Sequence, residues 1–152
     1  MESQENRRVK NAQETLYDGI LFKSKLEVTC YKMLKDAGLP VQYEPQKIAI
    51  WQGFRPTVPF YDKDTATKTL KLKMDKLKDS YYTPDFMFQY ADRNIIIEAK
   101  GFEGEVFAFK KKLFRKWLED SLPDSIYFEV YNKKQILQTI EIIKLLKKEN
   151  NE

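Results

Sequence analysis

The sequence predicts a mixed α/β (α+β) fold, one mixed β-sheet flanked by helices, with elements in the order α-β-β-β-α-β-α. Two observations carry that expectation. Segments whose apolar residues recur at helical spacing behind cap signals alternate with shorter segments of period-two or near-continuous apolar character. The 152 residues, 42% hydrophobic and 33% charged, suffice for one packed domain but not for two. The whole chain, 1–152, is therefore read as a single domain with a loose polar arm over about 1–15 and an extended basic insertion over about 52–80.

The arm carries Arg7, Arg8 and Lys10 without an apolar period, the pattern of a solvated segment or one that touches a polyanion. Tyr17-Asp18-Gly19-Ile20-Leu21-Phe22 is a turn and a short extended lead-in to the first helix. Ser24-Lys25-Leu26-Glu27 fits a capping box, in which the serine caps the helix and the glutamate reaches back to it. The helix is predicted to run to Ala37, with Gly38 as C-cap and Pro40 beyond, burying Leu26, Cys30, Met33, Leu34 and Ala37. Glu27 lies at the edge of that stripe. Val41 to Trp51 reads as a strand in which Pro45 marks an irregularity or a sheet edge.

In the insertion, Lys68-Thr69-Leu70-Lys71-Leu72-Lys73-Met74 alternates at period two, with Leu70, Leu72 and Met74 on one face and Lys71 and Lys73 on the other. Two readings stay open there: a half-buried strand kept soluble by its lysines, and a flap whose lysines contact phosphates. Tyr81 to Tyr90 is the next strand, and the turn Ala91-Asp92-Arg93-Asn94 leads to a strand from Ile95 to Lys100, the two pairing as a hairpin. After Gly101, a helix over about Glu105 to Asp120 buries Val106, Phe109, Leu113 and Trp117, with Phe114 beside them. Its outer side carries Lys110, Lys111, Lys112, Arg115 and Lys116. A strand from Ser125 to Tyr131 and a helix from about Lys133 to Lys148, with Ile136, Ile140, Ile143 and Leu146 at helical spacing, complete the chain.

Composition removes whole classes of chemistry. With no histidine there is no Ser-His-Asp or Cys-His triad and no histidine general base. A single cysteine, Cys30, excludes an internal disulfide and a multi-cysteine zinc site, and its place on the buried helix face makes it a small hydrophobe. Hydrolytic chemistry would have to rest on carboxylates, lysines and a hard cation such as Mg²⁺, with Mn²⁺ able to substitute. No apolar run approaches the ~18 residues of a membrane span and no signal peptide opens the chain, so no membrane partner and a soluble, cytoplasmic protein are expected. The net charge of +4 is compatible with a polyanionic partner without demanding one.

The chemistry concentrates in Tyr82-Thr83-Pro84-Asp85 and Asn94-Ile95-Ile96-Ile97-Glu98-Ala99-Lys100. On a strand, Glu98 and Lys100 share a face. If the hairpin register sets Asp85 across from Glu98, two carboxylates and an ammonium converge, and two carboxylates that close favour a cation between them. The backbone carbonyl of Ala99 is a further ligand candidate. Such an ion would polarise a phosphodiester oxygen and ease the formation of hydroxide, while Lys100 orients the water or offsets charge on the phosphate. The bland alternative is a structural Glu-x-Lys ion pair. A second Pro-Asp, at Pro123-Asp124, also precedes a strand, but Glu129 is followed by Val130 and Tyr131 and no lysine completes a set. Trp51 and Trp117 are read as packing residues.

Pro84-Asp85 with Glu98-Ala99-Lys100 resembles the signature of the PD-(D/E)XK nuclease superfamily. Phe22-Lys23-Ser24-Lys25-Leu26-Glu27, Tyr82-Thr83-Pro84-Asp85-Phe86, Glu98-Ala99-Lys100-Gly101 and Lys111-Lys112-Leu113-Phe114-Arg115 are similar to blocks of phage-type endonuclease I, a family of Holliday-junction resolvases, and of small phage nucleases. The resemblance implies a restriction-endonuclease-like core and Mg²⁺-dependent hydrolysis of DNA, including branched or recombination intermediates, to leave a 5′-phosphate. It makes Asp85 and Glu98 metal ligands, Lys100 the catalytic lysine and Glu27 an acid supplied by the first helix. Glu27 thus carries two readings, helix cap and site residue. In that family the link matching 52–80 is short and passes between subunits, so the longer stretch here leaves both a homodimer with a shared site and a self-contained monomer open.

Lys110, Lys111, Lys112 and Arg115 are candidate contacts to a phosphate backbone, although a solvated helix face has the same composition. The alternative to an enzyme is a non-catalytic nucleic-acid-binding or structural protein of a phage or other mobile element on the same fold.

Overall fold

Asp18 and Gly19 take positive φ angles of 54° and 74°, the backbone a two-residue hairpin turn requires. In the computed structural model, which describes residues 13–150, this turn joins β1 (Thr15–Tyr17) to β2 (Ile20–Phe22). The expected lead-in is therefore a paired ribbon. Of the stretch expected over 1–15 as an arm, Thr15 is already in β1, and Arg7, Arg8 and Lys10 lie outside the described residues.

Helix α1 (Lys25–Asp36) starts as its sequence dictates, with Ser24 Oγ accepting from the Glu27 N–H at 3.2 Å. The reciprocal arm of the capping box differs. Glu27 Oε2 accepts from the N–H of Lys23 at 3.2 Å instead of from that of Ser24. Ala37 is the C-cap and Gly38, at φ 78°, is the left-handed residue beyond it. Val28, Cys30, Tyr31 and Leu34 are buried, while Leu26, Met33 and Ala37 are half-buried at the margin of the same core.

Between α1 and the central sheet the sequence reading needs most correction. Strand β3 (Ile48–Trp51) is shorter than expected, the preceding residues contributing only a bridge between Tyr43 and Phe86. The single strand expected from Tyr81 to Tyr90 is cut in two. Its first part, β6 (Ser80–Tyr82), pairs antiparallel with β3 in a separate two-stranded sheet, and its second, β7 (Phe86–Tyr90), joins the central sheet. The buried Pro84 marks the break, because it has no N–H to give a ladder and restricts the residue before it.

The basic insertion folds as a hairpin of β4 (Tyr61–Lys63) and β5 (Leu70–Leu72). All six of its strand residues are exposed, Leu70 at 74%, so the half-buried strand is not what forms. At its base Gly53 donates its N–H to Asp79 at 2.7 Å and packs against the chain at Leu77.

Strand β8 (Arg93–Ala99) runs antiparallel to β7, from Phe86 opposite Ile97 to Tyr90 opposite Arg93. It runs parallel to β9 (Ser125–Val130), with helix α2 (Glu105–Ser121) as the crossover. Helix α3 (Lys133–Asn150) follows. One face of this mixed sheet sends Phe86, Phe88, Ile95 and Ile97 against Cys30, Leu34, Ile136 and Ile143 of α1 and α3. The other sends Ile96 against Phe114 and Leu118 of α2, with Ile48, Ile50 and Tyr82. Ile95, Ile96 and Ile97 are all fully buried, each contributing about 1.5–3 kcal/mol.

The architecture is thus mixed α+β, with three helices and small sheets among the described residues. The expected single sheet is divided, and the expected order gains the β1–β2 and β4–β5 hairpins. Helix α2 keeps part of its expected inner face. Leu113, Phe114 and Trp117 pack inward as expected and Phe107 and Leu118 join them, whereas Val106 and Phe109 are 64% and 62% exposed. No described helix is long and apolar enough to cross a membrane.

A Cβ on Gly53 would stand 2.0 Å from the Leu77 carbonyl oxygen, a backbone atom. Gly53→Ala is expected to lower stability by about 1–3 kcal/mol, the range for forced overpacking. Urea unfolding against the parent chain measures it, and an unchanged midpoint would show that the hairpin base opens without cost.

Candidate active site

One step beyond the pair Phe86–Ile97, the β7–β8 register sets Asp85 opposite Glu98. Hydrogen bonds fix both side chains there. The Asp85 N–H donates to Glu98 Oε2 at 3.1 Å, and the Ala99 N–H donates to Asp85 Oδ2 at 2.9 Å. The two acids are 7% and 4% exposed. Lys100 continues along the chain from Glu98 and its Nζ lies 3.3 Å from Glu98 Oε1 and 4.0 Å from the centre of the Phe107 ring. Asp85, Glu98 and Lys100 therefore converge as the spacing predicts, with Ala99 engaged between them through its N–H.

Glu27 comes from the first turn of α1 and is 6% exposed. Its Oε2 accepts from Tyr43 Oη at 2.6 Å as well as from the Lys23 N–H. It stands within electrostatic reach of Asp85 and helps to raise that group's pKa. Cap and site positions therefore coincide in one residue. Among the described residues, however, no group of three or more His, Cys, Asp or Glu side chains is close enough to form a ready ligand cluster for a metal ion. Any ion here would rest on Asp85 and Glu98 with backbone or solvent oxygens.

The electrostatics fit a hard cation. Burial first, then the charges of Glu98 and Glu27, push Asp85 up to about 8, against the opposing pull of the Ala99 N–H and Lys100. Burial likewise raises Glu98, opposed by Lys100, the Tyr82 hydroxyl and the Asp85 N–H. Two desolvated carboxylates with a single ammonium beside them form an all-oxygen, anion-rich donor set, which matches Mg²⁺ or Mn²⁺ in charge and hardness.

Several contributors were not foreseen. Tyr82 Oη donates to Glu98 Oε2 at 2.7 Å, and the hydroxyl of Tyr127 lies 3.3 Å from it. Tyr43 holds Glu27, and Phe107 carries the Lys100 ammonium. Tyr82 had a signal in the sequence, since it sits within the Tyr-Thr-Pro-Asp block itself. Tyr43, Phe107 and Tyr127 had none, because tertiary packing alone brings them in. Glu129, set aside for want of a lysine in its own strand, lies beside Glu98 in the β8–β9 register and finds its lysine elsewhere: Lys111 Nζ is 3.0 Å from Glu129 Oε2 and 2.6 Å from Glu103 Oε1.

Lys111 is accordingly ion-paired across to β9 at the edge of a groove, which corrects its expected place on the outer side of α2. Lys110 is half-buried, and Lys112 and Arg115 are exposed. Lys111, Lys112, Arg115 and Lys116 line an open groove of about 800 Å³ between α2 and β9. Lys71 and Lys73 lie on the β4–β5 hairpin, 4.0 Å from Asp64 and 3.9 Å from Asp62, respectively. Cys30 is fully buried and burial raises its thiol pKa, the inert small hydrophobe expected.

Over residues 7–132 the chain matches the model of a family described as a protein of unknown function (DUF1064), and it belongs to that family. The matched span contains every site residue described above. No curated protein and no solved structure matches the chain.

Asp85 binds its proton more tightly in the fold than in the unfolded chain, where a carboxyl titrates near 3.8. Protonation therefore stabilises the fold, and the metal-free protein loses stability as pH rises from about 4 towards about 8. In chelator, the melting temperature is expected to fall by several degrees between about pH 5 and about pH 8. The fall should be smaller in Asp85→Asn. Thermal melts of both proteins check this, and parallel profiles would show that Asp85 titrates normally.

Proposed function

We propose that this chain is a metal-dependent endodeoxyribonuclease that hydrolyses phosphodiester bonds in DNA on a restriction-endonuclease-like, PD-(D/E)XK core. The observation that carries the reading is the convergence of Asp85 and Glu98 on one spot of the β7–β8 hairpin with Lys100 against Glu98. A cation held by Asp85, Glu98 and the Ala99 carbonyl would supply Lewis-acid polarisation of the phosphodiester and a more acidic water.

The remaining work belongs to the protein. Tyr82 and the Asp85 N–H occupy Glu98 Oε2, so this carboxylate is oriented before substrate arrives. Lys100, supported by Phe107, places an ammonium where negative charge grows on the phosphate oxygens and on the leaving group. Glu27, fixed by Tyr43 and the Lys23 N–H, adds a carboxylate on the α1 side of Asp85, able to accept a proton from an attacking water. Lys110, Lys112 and Arg115 of α2 extend the contact along the nucleic-acid backbone.

A second reading draws on the 3.3 Å contact between Lys100 and Glu98, which is also what a structural ion pair in a non-catalytic DNA-binding protein would show. Incubation with supercoiled plasmid and with a four-way DNA junction in Mg²⁺ or Mn²⁺ separates the two. Cleavage is expected, abolished by EDTA and reduced roughly 100-fold or more in Asp85→Ala and Lys100→Ala. Activity that survives EDTA or both substitutions overturns the assignment, and salt-sensitive binding without cleavage favours the second reading.

A further inference from the structure

Residues 42–44 run beside β7, bridged by the Tyr43–Phe86 pair. At the end of that run Glu44 adopts φ 45°, the left-handed region that a non-glycine residue enters only at a cost. Three contacts hold it there or exploit it. The Glu44 N–H donates to the carbonyl of Asp85 at 2.7 Å, its neighbour Tyr43 holds Glu27, and its own carboxylate takes the ammonium of Lys23 at 2.7 Å. The kink thus ties two site acids to one lysine.

Lys23 belongs to the same constellation by its backbone, whose N–H is bound to Glu27 Oε2. Its ammonium feels the charges of Glu44, Glu27 and Asp85, yet its side chain is 69% exposed. A phosphodiester approaching Glu27, Asp85 and Glu98 meets three carboxylates and, besides a metal ion held by Asp85 and Glu98, the single ammonium of Lys100. A second ammonium at the mouth is what a polyanion needs there. Lys23 supplies it from the α1 side of the site, whereas Lys100 supplies the first from the β8 side.

Resting on the nuclease reading above, we infer that Lys23 is a second cationic contact for a substrate phosphate, parked on Glu44 in the free protein. On binding, the ammonium exchanges the Glu44 carboxylate for a phosphate oxygen, a swap between two charge-assisted contacts of similar kind. Glu44 therefore competes with substrate for Lys23, while its backbone N–H anchors the strained residue to the Asp85 carbonyl.

The test uses the full chain and a fluorescently labelled DNA duplex, with binding measured in Ca²⁺ across a range of salt and cleavage measured in Mg²⁺. Lys23→Met keeps the aliphatic stem and removes the charge. It is expected to weaken binding about 5- to 10-fold, to lower the log–log salt slope by about one, and to raise KM more than it lowers kcat. Lys23→Arg should restore the slope, and Glu44→Gln should tighten binding by releasing the lysine. A salt slope and affinity unchanged in Lys23→Met overturn the inference, as does Glu44→Gln weakening binding as much as Lys23→Met, the mark of a purely structural pair. If the parent chain neither binds nor cuts DNA, the nuclease reading fails and this one with it. If the parent does both while Lys23→Met keeps its slope, only this inference fails.

Discussion

Two hydrogen bonds between backbone and carboxylate, Asp85 N–H to Glu98 and Ala99 N–H to Asp85, lock the end of the β7–β8 hairpin. A buried carboxylate needs donors, and these two take theirs from each other's strand. A slip of one residue in the β7–β8 pairing would remove both bonds and turn Glu98 to the opposite face. The apolar faces prevent that slip, because Phe86, Phe88, Ile95 and Ile97 would leave the core formed with α1 and α3. Packing energy from the core thus specifies the positions of the acids, and the site inherits the rigidity of the most buried of the described strands.

Around that lock, orientation is left to hydroxyl groups. The chain has no histidine, and besides backbone N–H groups and Lys100 its acids are held by the hydroxyls of Tyr82 on Glu98 and Tyr43 on Glu27. Burial, followed by the neighbouring carboxylates, raises the pKa of both tyrosines, so each remains a protonated donor. An imidazole in either position would gain and lose charge near neutrality and change the local field with it. Tyrosine instead gives a fixed donor and an apolar ring that joins the core, as Tyr82 does against Phe114 at 4.6 Å between ring centres.

What the sequence made legible follows from how local each signal is. The β7–β8 hairpin, the burial of Ile95 to Ile97, the serine cap of α1 and the helical spacing of Ile136, Ile140 and Ile143 are encoded within a few residues, and these formed as expected. The convergence of Asp85, Glu98 and Lys100 was legible for the same reason, since one hairpin register decides it. What failed depends on partners far along the chain. On α2, Val106 and Phe109 stay exposed although their period continues the stripe of Leu113 and Trp117, which packs on residues of β3, β6 and β8. Glu129 finds Lys111 across a helix–sheet interface that strand spacing does not encode. The break at Pro84 was visible as a residue, yet its consequence, the transfer of Ser80–Tyr82 to a separate sheet with β3, depended on a partner strand about thirty residues away.

That break also explains how one site draws on both sides of the central sheet. If β6 and β7 were continuous, Tyr82 would stay in the ladder and Asp85 would be a mid-strand residue with its N–H committed to the next strand. Interrupted at Pro84, the chain frees the Asp85 N–H for Glu98 and the Asp85 carbonyl for Glu44, while Tyr82 is carried over to reach Glu98 from the α2 side. Asp85 then stands at the strand margin, between Glu27 on the α1 side and Glu98 on the other, and feels both charges. Its repulsion is relieved by a proton or by a cation, and the two compete for the same oxygens. The proline that ends a strand therefore also leaves Asp85 as a buried carboxylate with one backbone donor, from Ala99, between two further acids.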